Sequence, residues 1–148
     1  MSNRMKAEYD FFLKYKSDDE SGGPIDSKNM FEWKINFNGP RGSDYENGKF
    51  HVKITFPNDY PKSMPSCKFL NDELLHPNIN SKGEVCFGNY VWKEEYNILD
   101  YLSAISYLLE NPYFDSGYDN KQIKEFFESD PESYHQTVRE LVAEYSKY

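Results

Sequence analysis

Residues 76–92 read HPNINSKGEVCFGNYVW, a stretch with neither the period of a helix nor the alternation of a strand. Three of its residues are proline or glycine, so we predict an extended loop around one short turn, from Leu74 to Trp92. Connections of this length without regular structure are uncommon in small domains and usually have a function. The stretch also contains Cys86, one of two cysteines in the chain. This loop is therefore the first candidate for a functional site.

Two segments on the N-terminal side of the loop alternate large apolar with polar residues, over residues 31–37 and 50–56. A period of two is typical of half-buried β-strands. Asparagine, glycine and proline within residues 38–48 supply turn chemistry, so we predict an antiparallel meander. Residues 67–70 predict one more short strand. Residues 17–28 contain two glycines and a proline among charged residues and are predicted to be a loop.

Apolar residues recur at helical spacing in the rest of the chain. They predict helices over residues 3–16, 98–110, 121–128 and 131–145, the second with Asn97 as its N-cap. Helix, strands, long loop and further helices in that order indicate an α+β fold with helices packed against an antiparallel sheet. A chain of 148 residues suits a single domain, residues 1–148, which buries a core without disulfides or a structural metal.

The composition narrows the classes of partner. Seventeen basic and 25 acidic residues leave a formal net charge of -8. This charge disfavours nonspecific binding to nucleic acid or to anionic membranes and suits basic protein partners. The two cysteines lack metal-ligand spacing and the density of a secreted scaffold, so we predict a reducing compartment, the cytoplasm and/or the nucleus. No apolar run is long enough to span a membrane, and no signal peptide is evident. We expect a monomer.

Several short motifs then occur in one order along the chain. FPNDYP at residues 56–61 precedes HPNIN at residues 76–80, and Gly83, Cys86 and Trp92 follow. In order and nearly in spacing this combination resembles the ubiquitin-conjugating enzyme family, and the resemblance extends over essentially the whole chain. It implies that family's α+β fold, which has an N-terminal helix, a four-stranded antiparallel meander, a long active-site loop, a central helix and two C-terminal helices.

The resemblance implies that Cys86 is a catalytic nucleophile. In the family this cysteine accepts the carboxyl terminus of ubiquitin from an activating enzyme as a thioester. It then passes ubiquitin to a lysine amine of a protein substrate, alone or with a ligase. Sulfur suits the task because it attacks well and leaves well, so no neighbouring base is obligatory. The activating enzyme consumes ATP, so we expect no cofactor bound to this chain.

His76, Pro77 and Asn78, on the N-terminal side of Cys86, match the family's active-site motif. The resemblance gives Asn78 one of two roles. Its amide either stabilises the oxyanion during attack by lysine or holds the active-site loop in shape, and the sequence does not choose between them. His76 and Pro77 are predicted to be structural, with the imidazole bonding locally and the proline fixing the turn.

A lysine arrives at the site protonated, since its reference pKa is near 10.4, and the site must help to release the proton. In the family an acidic or serine gate lies beyond the central helix. It corresponds here to Asp115 and Ser116, with Ser116 at the gate position itself. If Ser116 is the gate, its phosphorylation would add charge beside the thioester.

The chain also departs from the family pattern on the surfaces that contact partners in relatives. Five residues separate Cys86 from Trp92, where the family usually has seven. A basic and two acidic residues beginning at Lys93 replace the usual Ser-Pro-Ala, and Lys62 stands where a large apolar side chain is common. We therefore expect Lys62, Trp92 and Lys93 to contact an unusual ligase. Arg4 and Lys6 in the N-terminal helix are candidate contacts for the activating enzyme.

Two other functions remain open on the sequence. The chain is compatible with a noncatalytic ubiquitin-binding variant or adaptor of the same fold, although Cys86 and Asn78 argue against it. It is also compatible with a carrier of another ubiquitin-like modifier. Fold alone separates neither from the leading interpretation.

Overall fold

The computed structural model describes residues 3–114 and 121–145. Its helices are α1 (Asn3–Tyr15), α2 (Ile98–Glu110), α3 (Lys121–Ser129) and α4 (Pro131–Tyr145). Its strands are β1 (Ser21–Asp26), β2 (Asn29–Asn38), β3 (Lys49–Thr55) and β4 (Ser66–Phe69). The predicted α+β fold, with an N-terminal helix, a four-stranded antiparallel sheet, a long loop and three further helices, is confirmed.

The strands form one antiparallel meander in the order β1-β2-β3-β4. Trp33 of β2 pairs with Ile54 of β3, which pairs in turn with Cys67 of β4. All three side chains are buried, so the predicted alternation does bring the apolar residues of successive strands to one face. That face is the core side of the sheet, against which the helices pack.

The prediction of a loop over residues 17–28 is wrong, because residues 21–26 form the edge strand β1. Gly22 and Gly23 have φ of +117° and +154°. Glycine has a low strand propensity, so the sequence gives no signal for a strand here. Pro24 lacks a backbone donor but is tolerated at a sheet edge. Pairing with β2, in which Gly22 lies opposite Ile35, overrides the loop propensity of these residues.

Helix α2 lies at the centre of the core and begins where the sequence predicts. The Asn97 side chain accepts from the amides of Leu99 and Asp100, and the Asp100 carboxylate accepts from the Asn97 amide, which completes a capping box. Three of the buried apolar residues of α2, Ile98, Leu102 and Ile105, are at most 3% exposed. A firmly placed α2 provides the surface on which the long loop rests.

The outer helices complete one hydrophobic cluster. Met5 and Phe12 of α1 are buried, and Phe12 packs edge-on against Trp33. Val138 and Val142 of α4 are buried at the other end of the sheet. No helix among the described residues is long and apolar enough to cross a membrane.

Candidate active site

A tight hairpin over residues 78–86 places Cys86 beside Asn78. The Cys86 amide donates to the Asn78 carbonyl at 2.8 Å, and the Asn80 amide donates to the Glu84 carbonyl at 3.0 Å. The long loop of the sequence prediction is therefore anchored by backbone hydrogen bonds on both sides of its turn. These backbone hydrogen bonds therefore fix the position of Cys86.

The hairpin is also attached to the edge of the sheet. The Phe69 amide donates to the Gly83 carbonyl at 2.7 Å, and the Val85 amide donates to the Cys67 carbonyl at 3.2 Å. Gly83 has φ of +86°, and a Cβ at this position would lie 2.1 Å from the Phe69 carbonyl oxygen. Only glycine meets both conditions, which explains its place in the motif.

His76 lies fully buried beneath the hairpin. Its Nδ1 accepts from the Asn78 amide at 3.1 Å, and its Nε2 lies 2.8 Å from the Leu108 carbonyl oxygen of α2. Burial lowers the pKa of His76 to about 4, so the ring is neutral near pH 7. Since a carbonyl only accepts, Nε2 carries the proton and donates it. This geometry is the one a structural role requires, and the neighbouring Pro77 is buried as well.

The side chain of Asn78 is bonded to a distant part of the chain. Its Nδ2 donates to the Tyr113 carbonyl at 2.5 Å, and its Oδ1 accepts from the Tyr113 amide at 2.8 Å. Asn78 itself is 1% exposed. Both ends of the amide thus bind the segment that follows α2, which is the arrangement needed to hold the loop in shape.

The two cysteines have opposite environments. Cys67 is buried in the sheet, where loss of solvation raises the pKa of its thiol far above the ordinary range. Cys86 is partly exposed and lines a cavity of about 290 Å³ together with Asn78, Asn80, Glu84 and Val85. No disulfide joins the two cysteines. A reagent in solvent therefore reaches Cys86 and not Cys67.

The shortened segment after Cys86 folds back onto α2. Phe87 packs against Tyr101 of α2 with ring centroids 5.4 Å apart. Gly88 has φ of +63°, and a Cβ there would lie 2.3 Å from the Tyr113 ring. Tyr113 therefore supports the loop on both sides of Cys86, through Asn78 before it and Gly88 after it.

Trp92 ends the loop as a partly buried brace. Its Nε1 donates to the carbonyl of Pro61 at 2.7 Å, and the peptide bond between Tyr60 and Pro61 is cis. Its ring contacts those of Tyr60, Tyr96 and Tyr101 at centroid distances of 5.9, 5.6 and 6.1 Å. Sequence reasoning placed Trp92 among partner contacts, and the structure gives it a packing function in addition.

The other predicted partner residues are on the surface. Lys6, Lys62 and Lys93 are exposed. Val91, beside Trp92, is 69% exposed and was missed, although an apolar residue in this polar segment was visible in the sequence. These residues are accessible to a protein partner.

Arg4, which the sequence also predicts to contact a partner protein, interacts with residues of its own chain. Its Nε lies 3.3 Å from the Glu8 carboxylate, and its guanidinium lies 5.4 Å from the centre of the Tyr60 ring. Glu8, 4% exposed, also accepts from the Tyr60 hydroxyl at 2.8 Å and from the Ile98 amide at the start of α2. Arg4 thus balances a buried carboxylate that joins α1, the loop before β4 and α2.

The predicted gate residues Asp115 and Ser116 lie outside the described residues. Tyr113, two positions before Asp115, binds Asn78 through its backbone, and its residue type carried no signal for that contact. Among residues 3–114 and 121–145 no group of three or more His, Cys, Asp or Glu side chains is placed to hold a metal ion.

Comparison with known proteins identifies the family of this chain. The family model described as ubiquitin-conjugating enzyme matches residues 4–142. A probable ubiquitin-conjugating enzyme E2 of Acanthamoeba polyphaga mimivirus is 33% identical over 123 residues, 81% of this chain and 77% of the relative. Ubiquitin conjugating enzyme E2 B of Dictyostelium discoideum is 34% identical over 121 residues, 80% of each chain. Ubiquitin-conjugating enzyme E2 15 of Schizosaccharomyces pombe is 32% identical over 137 residues, 82% of this chain and 81% of the relative. The chain belongs to the ubiquitin-conjugating enzyme family.

Proposed function

We propose that this chain receives ubiquitin from an activating enzyme as a thioester on Cys86 and transfers it to lysine amines of protein substrates. The observation that supports this most is the placement of Cys86. It is a partly exposed thiol that lines a cavity, on a hairpin closed by backbone hydrogen bonds, in the motif by which the sequence resembles the family. A reducing compartment, cytoplasm or nucleus, suits a thiol that must remain available.

The proposed transfer consists of two acyl transfers, one to the sulfur of Cys86 and one from it. The Cys86 thiolate attacks the carbonyl carbon of ubiquitin's activated carboxyl terminus, a new C–S bond forms, and the bond to the activating enzyme breaks with its electron pair leaving on that enzyme, where ATP has been consumed. A neutral lysine amine then attacks the thioester carbon. The C–N bond forms, the C–S bond breaks with its electron pair leaving on sulfur, and the nitrogen loses a proton to solvent. With a reference pKa near 10.4, about one lysine in 2,500 is neutral at pH 7, so release of that proton limits the supply of nucleophile.

In this mechanism Asn78 acts as a positioning residue. Both polar ends of its amide bind the Tyr113 backbone, which favours loop support over donation to an oxyanion. Asp115 and Ser116 keep their proposed role as the gate for the incoming lysine. Lys6 contacts the activating enzyme, with Arg4 supporting that surface through Glu8.

The ligase surface is the exposed group Lys62, Val91 and Lys93. The exposed acids Glu94 and Glu95 follow Lys93 directly, so this surface suits a ligase that offers contacts of both charges around one apolar contact. The hydrogen bond from Trp92 Nε1 to the Pro61 carbonyl links the segment of Lys62 to the segment of Val91 and Lys93.

A charging assay tests the proposal. The chain is incubated with activating enzyme, ATP and ubiquitin, and nonreducing gels are run for the native sequence, Cys86→Ala and Cys67→Ala. We expect a thiol-sensitive adduct that is lost only in Cys86→Ala. An adduct formed with another ubiquitin-like modifier, and not with ubiquitin, would replace the modifier in the proposal. Absence of any adduct, with ubiquitin binding retained, would favour a noncatalytic binding variant.

A further inference from the structure

Glu84 lies on the same face of the hairpin as Cys86. In the antiparallel pairing Ile79 is opposite Val85, and Ile79 turns into the core with 4% exposure. Side chains alternate along a strand, so Glu84 and Cys86, which flank Val85, point the other way. Both line the 290 Å³ cavity.

The carboxylate of Glu84 is held in place on that face. Its Oε1 accepts from Asn80 Nδ2 at 3.0 Å, while the Asn80 Oδ1 accepts from the Glu84 amide at 3.0 Å. Lys68 stands opposite Glu84 in an isolated bridge. Glu84 nevertheless takes part in none of the ion pairs formed among residues 3–114 and 121–145. The carboxylate is exposed and retains capacity for an external cation.

Among the described residues that line the cavity, Glu84 is the one with an acidic side chain. Two positions along an extended segment place the Cα atoms of Glu84 and Cys86 about 6–7 Å apart, so a ligand that reaches the sulfur has the Glu84 side chain on the same face beside it. An extended peptide presents every second side chain on one face with the same spacing. The two spacings match when an acceptor lysine is at Cys86 and another side chain, two residues away, is at Glu84.

We propose that Glu84 selects acceptor lysines that have a basic residue two positions away in an extended segment. The inference rests on the proposed function, since it concerns the substrate of the same thioester. The flanking cation does not react and keeps its charge throughout, so its attraction to Glu84 lowers KM and leaves kcat nearly unchanged. Any attraction of the acceptor lysine itself to Glu84 is common to all acceptor peptides, so it does not contribute to the preference between them.

The test uses ubiquitin-charged chain and two blocked pentapeptides, Arg-Ala-Lys-Ala-Arg and Gln-Ala-Lys-Ala-Gln. For a single exposed ion pair we expect a preference of about two- to five-fold in kcat/KM for the arginine peptide, mainly in KM. The preference should fall towards one in 0.5 M salt, because exposed pairs are screened. Glu84→Gln keeps the acceptor for Asn80 and should abolish the preference, and Glu84→Arg should reverse it.

The matched control is Glu46→Gln, an exposed acid on the connection between β2 and β3. It should keep the full preference. A thioester that forms normally and discharges equally to both peptides would overturn the role of Glu84 and leave the carrier function intact. An equal preference in Glu84→Gln and in the native chain would also overturn it. Failure to form any thioester would overturn the proposed function itself.

Discussion

Replacing Asn78 tests whether this residue supports the loop. Asn78→Ala removes two hydrogen bonds to the Tyr113 backbone, which the native amide makes at 2.5 and 2.8 Å. At a net value of about 0.5–1.5 kcal/mol each, the loss is about 1–3 kcal/mol of unfolding free energy. For a domain of this size that corresponds to a fall in Tm of about 2–12 °C.

Asn78→Asp sharpens the test, because aspartate still accepts from the Tyr113 amide but has no proton for the Tyr113 carbonyl. We expect it to lose at least as much stability as alanine does. The assays are urea unfolding followed by tryptophan fluorescence, and hydrogen exchange at the Tyr113 amide. Both variants should protect that amide less than the native chain. An unchanged free energy of unfolding and unchanged exchange, with lysine discharge nevertheless lost, would refute loop support and favour donation to an oxyanion.

Three further predictions concern the surroundings of the site. Gly88→Ala should slow charging of Cys86, because the residue has φ of +63° and its Cβ would lie 2.3 Å from an aromatic ring. Glu8→Gln should cost about 1–3 kcal/mol of unfolding free energy in urea titrations, because a carboxylate that holds the start of α2 becomes a neutral amide. His76 should remain neutral in NMR titrations down to pH 5. Its pKa is about 4 in the folded chain and near 6.5 in the unfolded one. Its contribution to stability is therefore complete above pH 6.5 and falls as the pH drops towards 4, by about 2 kcal/mol between pH 7.5 and 5.

Matched controls accompany these predictions. Gly42→Ala carries the same kind of backbone strain, with φ of +81°, but nothing lies within 4 Å of its Cβ. Equal charging rates in the two alanine variants would exclude the contact at Gly88 as a cause. Asp10→Asn changes an exposed acid on the same helix as Glu8. If Asp10→Asn and Glu8→Gln lost equal unfolding free energy, the stabilising role of the buried Glu8 carboxylate would be contradicted. An imidazole midpoint at or above pH 6 would contradict the burial of His76.

Secondary structure with local signals was predictable to within a residue or so. Asn97 caps α2 with its own side chain, and Pro131 begins α4, so the information lies next to each helix start. Strand β1 was not predictable in this way. Its two glycines and its proline have weak strand propensity, and only the partner strand β2 makes the segment extended.

The site was predictable in its residue types and not in its contacts. His76, Asn78 and Cys86 belong to one short motif, whereas their supports come from Leu108 and Tyr113, about 30 residues later. Those supports are backbone groups, and every residue type offers the same backbone carbonyl, so the sequence contains no mark of them.

Intact-mass spectrometry of the charged chain tests the central claim most directly. After incubation with activating enzyme, ATP and ubiquitin, the chain should gain the mass of ubiquitin less one water, and excess thiol should remove it. The same gain should be absent in Cys86→Ala and present in Cys67→Ala. A gain that survives thiol, or one that persists in Cys86→Ala, would contradict a thioester on Cys86.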